Sequence, residues 1–137
     1  MAVYRRLGFQ VLRGGEHPQF GTYNALVPLA DGFYIELMAI KDRRLAESFA
    51  LTRRVVEALK WETHLALYAL DADDIKGEVE VIRARGLSIG DPLFGERLRP
   101  DGVRVAWRTA HLDDPRLPFL IEDETPREVR VEISVDR

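Results

Sequence analysis

Three side chains in this sequence have the chemistry to hold a metal ion or to move a proton: Glu36, His64 and Glu122. Glu36 lies in Phe33 to Ile40, which reads as a strand, and shares a face with Tyr34, Met38 and Ile40 because side chains alternate along a strand. A carboxylate among apolar neighbours is costly to bury without a partner. Glu36 is therefore a metal ligand, a general base made more basic by desolvation, or a charge at the strand's solvent edge in an ion pair. His64 sits in the apolar run Thr63 to Leu70. There a neutral imidazole can ligate zinc, iron, manganese or nickel, or be a hydrogen-bonded core residue. Glu122 ends a final apolar strand beside Asp123 and Glu124, so a solvated acidic strand end competes there with a site.

Around these stand groups able to contact a small ligand. His17 falls in a segment marked by Gly14, Gly15, Pro18 and Gly21, where unusual backbone angles can aim a polar group into a cavity or simply shape a turn. Asn24, on the next strand, either touches substrate or holds that loop through its amide. Arg99 and Arg104 flank Asp101-Gly102, and Arg108 follows Trp107. A guanidinium could clamp a carboxylate or phosphate there, and surface salt bridges are the competing role. Trp107, Tyr34, Phe119 and Met38 are candidate cavity walls or plain core. His111, among Asp113, Asp114 and Pro115, is expected on the surface.

The elements that must position these groups follow from pattern. Ala2 to Leu7 reads as a helix end stopped by Gly8. Phe9 to Leu12 reads as a short strand, Arg13 to Gly21 as a loop, and Thr22 to Leu29 as a strand. Asp31-Gly32 then turns the chain into Phe33 to Ile40. Leu45, Phe49, Val56 and Leu59 mark one stripe of a helix running to Lys60. A second unit opens with the strand Thr63 to Leu70, and Asp71 to Asp74 caps a helix that Gly86 ends near Arg85. Leu87 to Ile89 makes a strand, Gly90 to Gly95 a loop, Asp101-Gly102 a turn, and Val103 to Ala110 and Leu117 to Glu122 the last strands. A tail strand is expected over Val129 to Val135. Residues 1–44 thus form a first module, 45–62 a linking helix, 63–124 a second module and 125–137 the tail. YRRLGFQV aligns with IRARGLSI, so the modules look like repeats. The step from His64 to Gly86, taken back from Gly8, falls before residue 1, so the opening strand of the first module is expected either in a segment upstream of residue 1 or to be replaced by another element, for which the tail strand is a candidate.

Composition narrows the partners. Twenty basic against twenty-three acidic side chains give a net charge of −3, which offers no field to hold a nucleic acid. The chain has no cysteine, which removes disulfides, thiolate metal sites and a cysteine nucleophile and fits a cytoplasmic address. No apolar run has the length of a membrane span, and the opening MAVYRRLGF is no signal peptide. Glycine-rich dinucleotide, phosphate-loop, GxSxG and HExxH signatures are missing, which disfavours ATP, nicotinamide and serine-hydrolase chemistry.

LGFQVLRGGEHPQFGTYNALVPL followed by DGFYIELMAI, with THLALYALDADDI, RPDGVRVAWRTA and LPFLIED later in order, closely resembles the glyoxalase-like domain family of the vicinal oxygen chelate superfamily. The resemblance implies an α+β fold in which paired βαβββ modules form a cupped mixed sheet around a cavity. It also implies a divalent metal held by strand residues pointing into the cup. Glu36 matches the ligand that ends the first module, His64 the one that opens the second, and Glu122 the last; the remaining ligand falls on the absent strand. The implied activity is metal-dependent lyase, isomerase or dioxygenase chemistry on a small carbonyl or vicinal-oxygen compound, with Glu36 or Glu122 moving a proton. The alternative is a metal-free module that sequesters a small molecule in the same cup. A homodimer is expected because such modules often pair across subunits.

Overall fold

The computed structural model describes residues 1–61 and 65–131. In chain order the elements are α1 (Ala2–Arg6), β1 (Leu12–His17), β2 (Thr22–Pro28), β3 (Tyr34–Ile40), α2 (Arg43–Glu47), α3 (Ala50–Ala58), β4 (Ala69–Asp71), α4 (Ile75–Ala84), β5 (Leu93–Leu98), β6 (Arg104–His111), β7 (Phe119–Asp123) and α5 (Arg127–Arg130). The strands form one curled seven-stranded sheet in the order β3-β2-β1-β5-β6-β7-β4. Every pairing is antiparallel except β4 on β7, which is parallel. The class is α+β, and the sheet is cupped and mixed.

Each half has its own core on the convex face. In the second half α4 lays Ile75 and Val79 against Ile89, Ala110, Leu112 and Leu120. In the first, Tyr4 of α1 and Leu37 cover Val11, Ala25 and Val27. The halves meet where β1 runs beside β5, pairing Glu16 with Leu98. On the far side of the first half, β3 has no strand partner beyond β2 among the described residues; in the second half, β4 fills the corresponding place beside β7.

Several punctuation signals behave as expected. Gly8 and Gly86 follow their helices at φ 93° and 85°, and Gly32 and Gly102 turn their hairpins at φ 83° and 88°. Asp74 caps α4, its carboxylate accepting from the Gly77 amide at 3.2 Å.

Other expectations need correction. Arg13 to Gly21 is no loop: β1 occupies Leu12–His17, while Phe9 to Val11 lie outside any strand. The glycines there serve close packing. A Cβ on Gly14 would lie 1.9 Å from Asn24 Oδ1, and one on Gly15, at φ 139° beside the register shift in β1, would lie 2.2 Å from the Leu98 carbonyl oxygen. Gly90 to Gly95 likewise gives way to β5, where Gly95 makes room for the Trp107 indole. The single linking helix is two. Phe49 is extended at φ −112° and ψ 139°, which swings its ring to 4.9 Å from that of Phe20, and the Thr52 hydroxyl donates to the Ala46 carbonyl across the break. Leu87 to Ile89 contributes only a bridge from Ile89 to Leu112. Within the expected strand Thr63 to Leu70, pairing begins at Ala69, and residues 62–64 lie outside the described residues. Of the expected tail strand, Val129 and Arg130 belong to the helical turn α5, whose Val131 amide donates to the Arg127 carbonyl; residues 132–137 lie outside the described residues. No helix among the described residues is long and apolar enough to cross a membrane.

Candidate functional site

The concave face encloses a cavity of about 280 Å³. Strand alternation decides what lines it: His17 from β1, Thr22, Asn24 and Leu26 from β2, and Tyr34, Glu36 and Met38 from β3. The second half adds Leu93 and Arg97 from β5, Trp107, Thr109 and His111 from β6, and Phe119 and Ile121 from β7. Phe49 to Thr52 lie over one end, and Arg130 and Val131 bring α5 to the other lining.

At the first half's side, Asn24 links two reactive groups. Its Nδ2 donates to Glu36 Oε1 at 2.7 Å and lies 3.5 Å from His17 Nε2. His17 Nδ1 is 2.9 Å from Thr22 Oγ1. An amide nitrogen has only donors, so Nε2 faces it as an acceptor and Nδ1 carries the imidazole proton, donated to Thr22. His17 is 3% exposed, and burial lowers its pKa; Glu36 opposes that shift and Arg97 adds to it. The imidazole is therefore neutral near pH 7. Glu36 itself is exposed, on β3 opposite Leu26 of β2. The perpendicular ring of Trp107 stands 5.8 Å from His17.

Two arginines invisible as site residues in the sequence complete this end. Arg97, 4% exposed, donates to the carbonyls of Gly14 at 2.5 Å and Arg130 at 2.6 Å, which are neutral acceptors. Burial lowers its pKa, with Glu36 the largest opposing charge. Arg130, 5% exposed, donates to the Tyr34 hydroxyl at 2.6 Å, stacks on that ring at 5.1 Å and sits 2.5 Å from Asp123 Oδ1. Burial pushes the Tyr34 phenol up to about 12, so it keeps its proton. With its oxygen accepting from Arg130, that O–H remains a donor for the cavity.

At the second half's side, His111 corrects the expectation of a surface role. It belongs to β6, lines the cavity, and both ring nitrogens are buried without a hydrogen-bond partner. Burial, with the Arg54 charge as a second cause, pulls its pKa down to about 4.

The remaining sequence candidates are placed elsewhere. Trp107 is on the cavity face. Arg104 and Arg108 are on the opposite face of β6, paired with Glu96 and, at 2.6 Å, with Glu124. Glu122 pairs with Arg108 in the β6–β7 register and points away from the cup, since Phe119 and Ile121 take the inward positions. Arg99 donates to Asp101 at 2.7 Å and to the Val129 carbonyl at 2.7 Å, and lines a separate cleft of about 210 Å³ beneath α5. His64 lies outside the described residues.

Among the described residues no three His, Cys, Asp or Glu side chains converge to hold a metal ion. The surroundings of Glu36 do not fit one either. Its Oε1 accepts from Asn24, and the nearby buried charge is the Arg97 guanidinium, whose sign opposes a bound cation.

A curled seven-stranded mixed sheet around a concave cavity defines the class of α+β fold to which the chain belongs. A family model described as a glyoxalase-like domain matches residues 1–135, and the chain belongs to that family. It is similar to a crystal structure of a hypothetical protein from Staphylococcus aureus, with TM-score 0.79 and 21% identity, over 93% of this chain and 55% of that one. The chain thus spans about half of that protein's length, and the likeness shows the fold. The comparison with curated proteins found no match.

Proposed function

We propose that this glyoxalase-like domain binds a small carbonyl or vicinal-oxygen compound in its cup and moves a proton on it, with Glu36 as the base. The observation that carries the reading is the line of contacts from Glu36 through Asn24 to His17, with Arg97 lining the same cavity. A C–H bond beside a carbonyl would lose its proton to the Glu36 carboxylate, and the electron pair would move onto the carbonyl oxygen. The Arg97 charge and the Tyr34 hydroxyl are the groups suited to stabilise that oxyanion. Where that carbon carries a hydroxyl, passage of the hydroxyl proton to the oxyanion and return of the carbon-bound proton from Glu36 to the former carbonyl carbon move the carbonyl one carbon along, which is an isomerisation. Asn24 orients the carboxylate, and the neutral His17 holds Asn24.

A second reading is a metal-dependent lyase, isomerase or dioxygenase with Glu36 and His64 as ligands to zinc, iron, manganese or nickel, Glu122 being turned to the outer face. The observation favouring it is that Glu36 faces the cup. A sequestering module is the third. A homodimer covering the open edge of β3 and a cytoplasmic address belong to the same proposal; scattering that finds one copy at every concentration removes the dimer.

The test uses protein purified without chelators and incubated in D₂O with 2-oxo acids and α-hydroxy ketones, read by proton NMR alongside elemental analysis. The expected result is loss of the C–H signal without stoichiometric metal, slowed at least about 100-fold by Glu36→Gln. Exchange that survives Glu36→Gln sinks the base. Stoichiometric metal whose removal stops exchange transfers the case to the second reading, and binding without exchange transfers it to the third.

A further inference from the structure

We propose that the His111 end of the cavity is an anion subsite, which seats a carboxylate carried on an apolar body whose other end lies toward Glu36. This rests on the reading of the cup as a small-molecule site and names one half of its ligand. The observation is a pair of polar groups with nothing to bond. Both ring nitrogens of His111 are buried without partners, and so is Nη1 of Arg54. These groups are neighbours: Arg54 Nη2 donates at 2.8 Å to the carbonyl of Leu112, the residue after His111. Buried polar atoms without partners are costly, and His111 on the cavity wall, with the Arg54 guanidinium bonded to the next residue's carbonyl behind it, marks a place where a ligand's atoms complete the bonding.

The sign of that ligand group follows from the donors. A neutral imidazole offers one N–H and one acceptor nitrogen, and a guanidinium offers only N–H groups, so most of the open positions call for acceptor atoms, and a proton taken up on the second ring nitrogen makes all of them do so. The charged neighbours agree. Arg54 of α3 brings a positive charge. Asp91, at the cavity wall, is held by Arg83 at 2.8 Å, and Asp114, beyond the end of β6, by Arg116 at 2.7 Å. Asp91 and Asp114 are thus compensated, the latter by Arg54 as well, and the exposed Asp113 accepts from the Ser88 hydroxyl, while Arg54 has a carbonyl as its hydrogen-bond partner. The body of the ligand would lie on Phe119, whose ring is 5.4 Å from that of His111, and on Leu93 and Leu51. Thr109, 4% exposed on the same strand face, adds a hydroxyl to the wall.

An anion beside His111 favours the protonated ring, so binding should draw a proton onto it and strengthen as pH falls toward 5. The test titrates the whole protein with phenylacetate and with the uncharged phenylacetamide, following the imidazole nitrogens by NMR and the heat in buffers of different ionisation enthalpy. Phenylacetate is expected to bind at least about tenfold tighter than the amide, to take up protons on binding and to move the His111 signals toward the imidazolium position. His111→Phe keeps a ring beside Phe119 and should erase the preference for the acid while leaving amide binding. Equal affinity of both probes with His111 signals unmoved overturns the subsite and leaves the cup reading standing. Failure of both probes and of the carbonyl compounds above to bind overturns the cup reading itself. Tight phenylacetate binding that shifts the Asn24 and His17 signals but spares His111 places the anion at Arg97 and also overturns the subsite.

Discussion

The two halves share an architecture but not its completeness. The second half has a ten-residue helix, a buried layer from Ile75 to Leu120, and an edge strand that finishes its side of the sheet. The first has a five-residue helix with no buried residue, a smaller core and, among the described residues, no strand on the far edge of β3. The proton-moving candidates Glu36, Asn24 and His17 are nonetheless all on the first half. They are steadied from outside it: Arg97 reaches over from β5 to the Gly14 carbonyl, and Arg130 reaches from α5 to Tyr34. On the proposed reading the proton transfer falls on the less self-sufficient half, where buried arginines reach in from outside it.

That comparison can be broken most sharply at Arg130. Arg130→Ala leaves Asp123 without its buried partner and frees Tyr34, and should cost about 3–5 kcal/mol in urea unfolding. A loss within experimental error would show that α5 does not brace the first half. Next in size, Ile75→Ala in the second core should cost about 2–5 kcal/mol, while Val27→Ala, which removes one methylene fewer from the smaller core, should cost about 1 kcal/mol less. Equal losses would erase the difference between the halves. The smallest effect is a pH dependence shared by both. His17 and His111 each bind a proton less readily when folded, so the unfolded chain takes up protons first as pH drops. Stability should therefore decline as pH falls from the ordinary imidazole range toward about 4, where His111 titrates in the fold. His111→Phe should flatten part of that slope, and an unchanged slope would mean that His111 is not responsible.

Much of the fold was legible, because it depends on local rules. Positive φ at Gly8, Gly32, Gly86 and Gly102 comes from chain geometry that one residue type tolerates, and alternation alone turned Glu36 and Trp107 toward the cup. The strands β1 and β5 were hidden because Gly14, Gly15 and Gly95 look like loop punctuation. Their real reason, a side chain or carbonyl pressed against the backbone, lies on a strand distant in sequence. His17 was legible as a polar group aimed inward, though its setting is a strand. Arg97 and Arg130 were not, since an arginine among charges reads as surface until tertiary structure supplies its acceptors. One signal was available: once β5 is extended to Leu98, Arg97 falls on the same face as Leu93 and Gly95. His111 was misled by its acidic neighbours, which lie past the strand end while the ring turns back inside.

Among the described residues β3 is bonded along one side only, and a strand so bonded frays more readily than one flanked on both. Anything laid along that flank would hold β3, and Glu36 with it, more still. On the proposed reading, what borders the rim therefore matters to this domain as much as what enters its hollow.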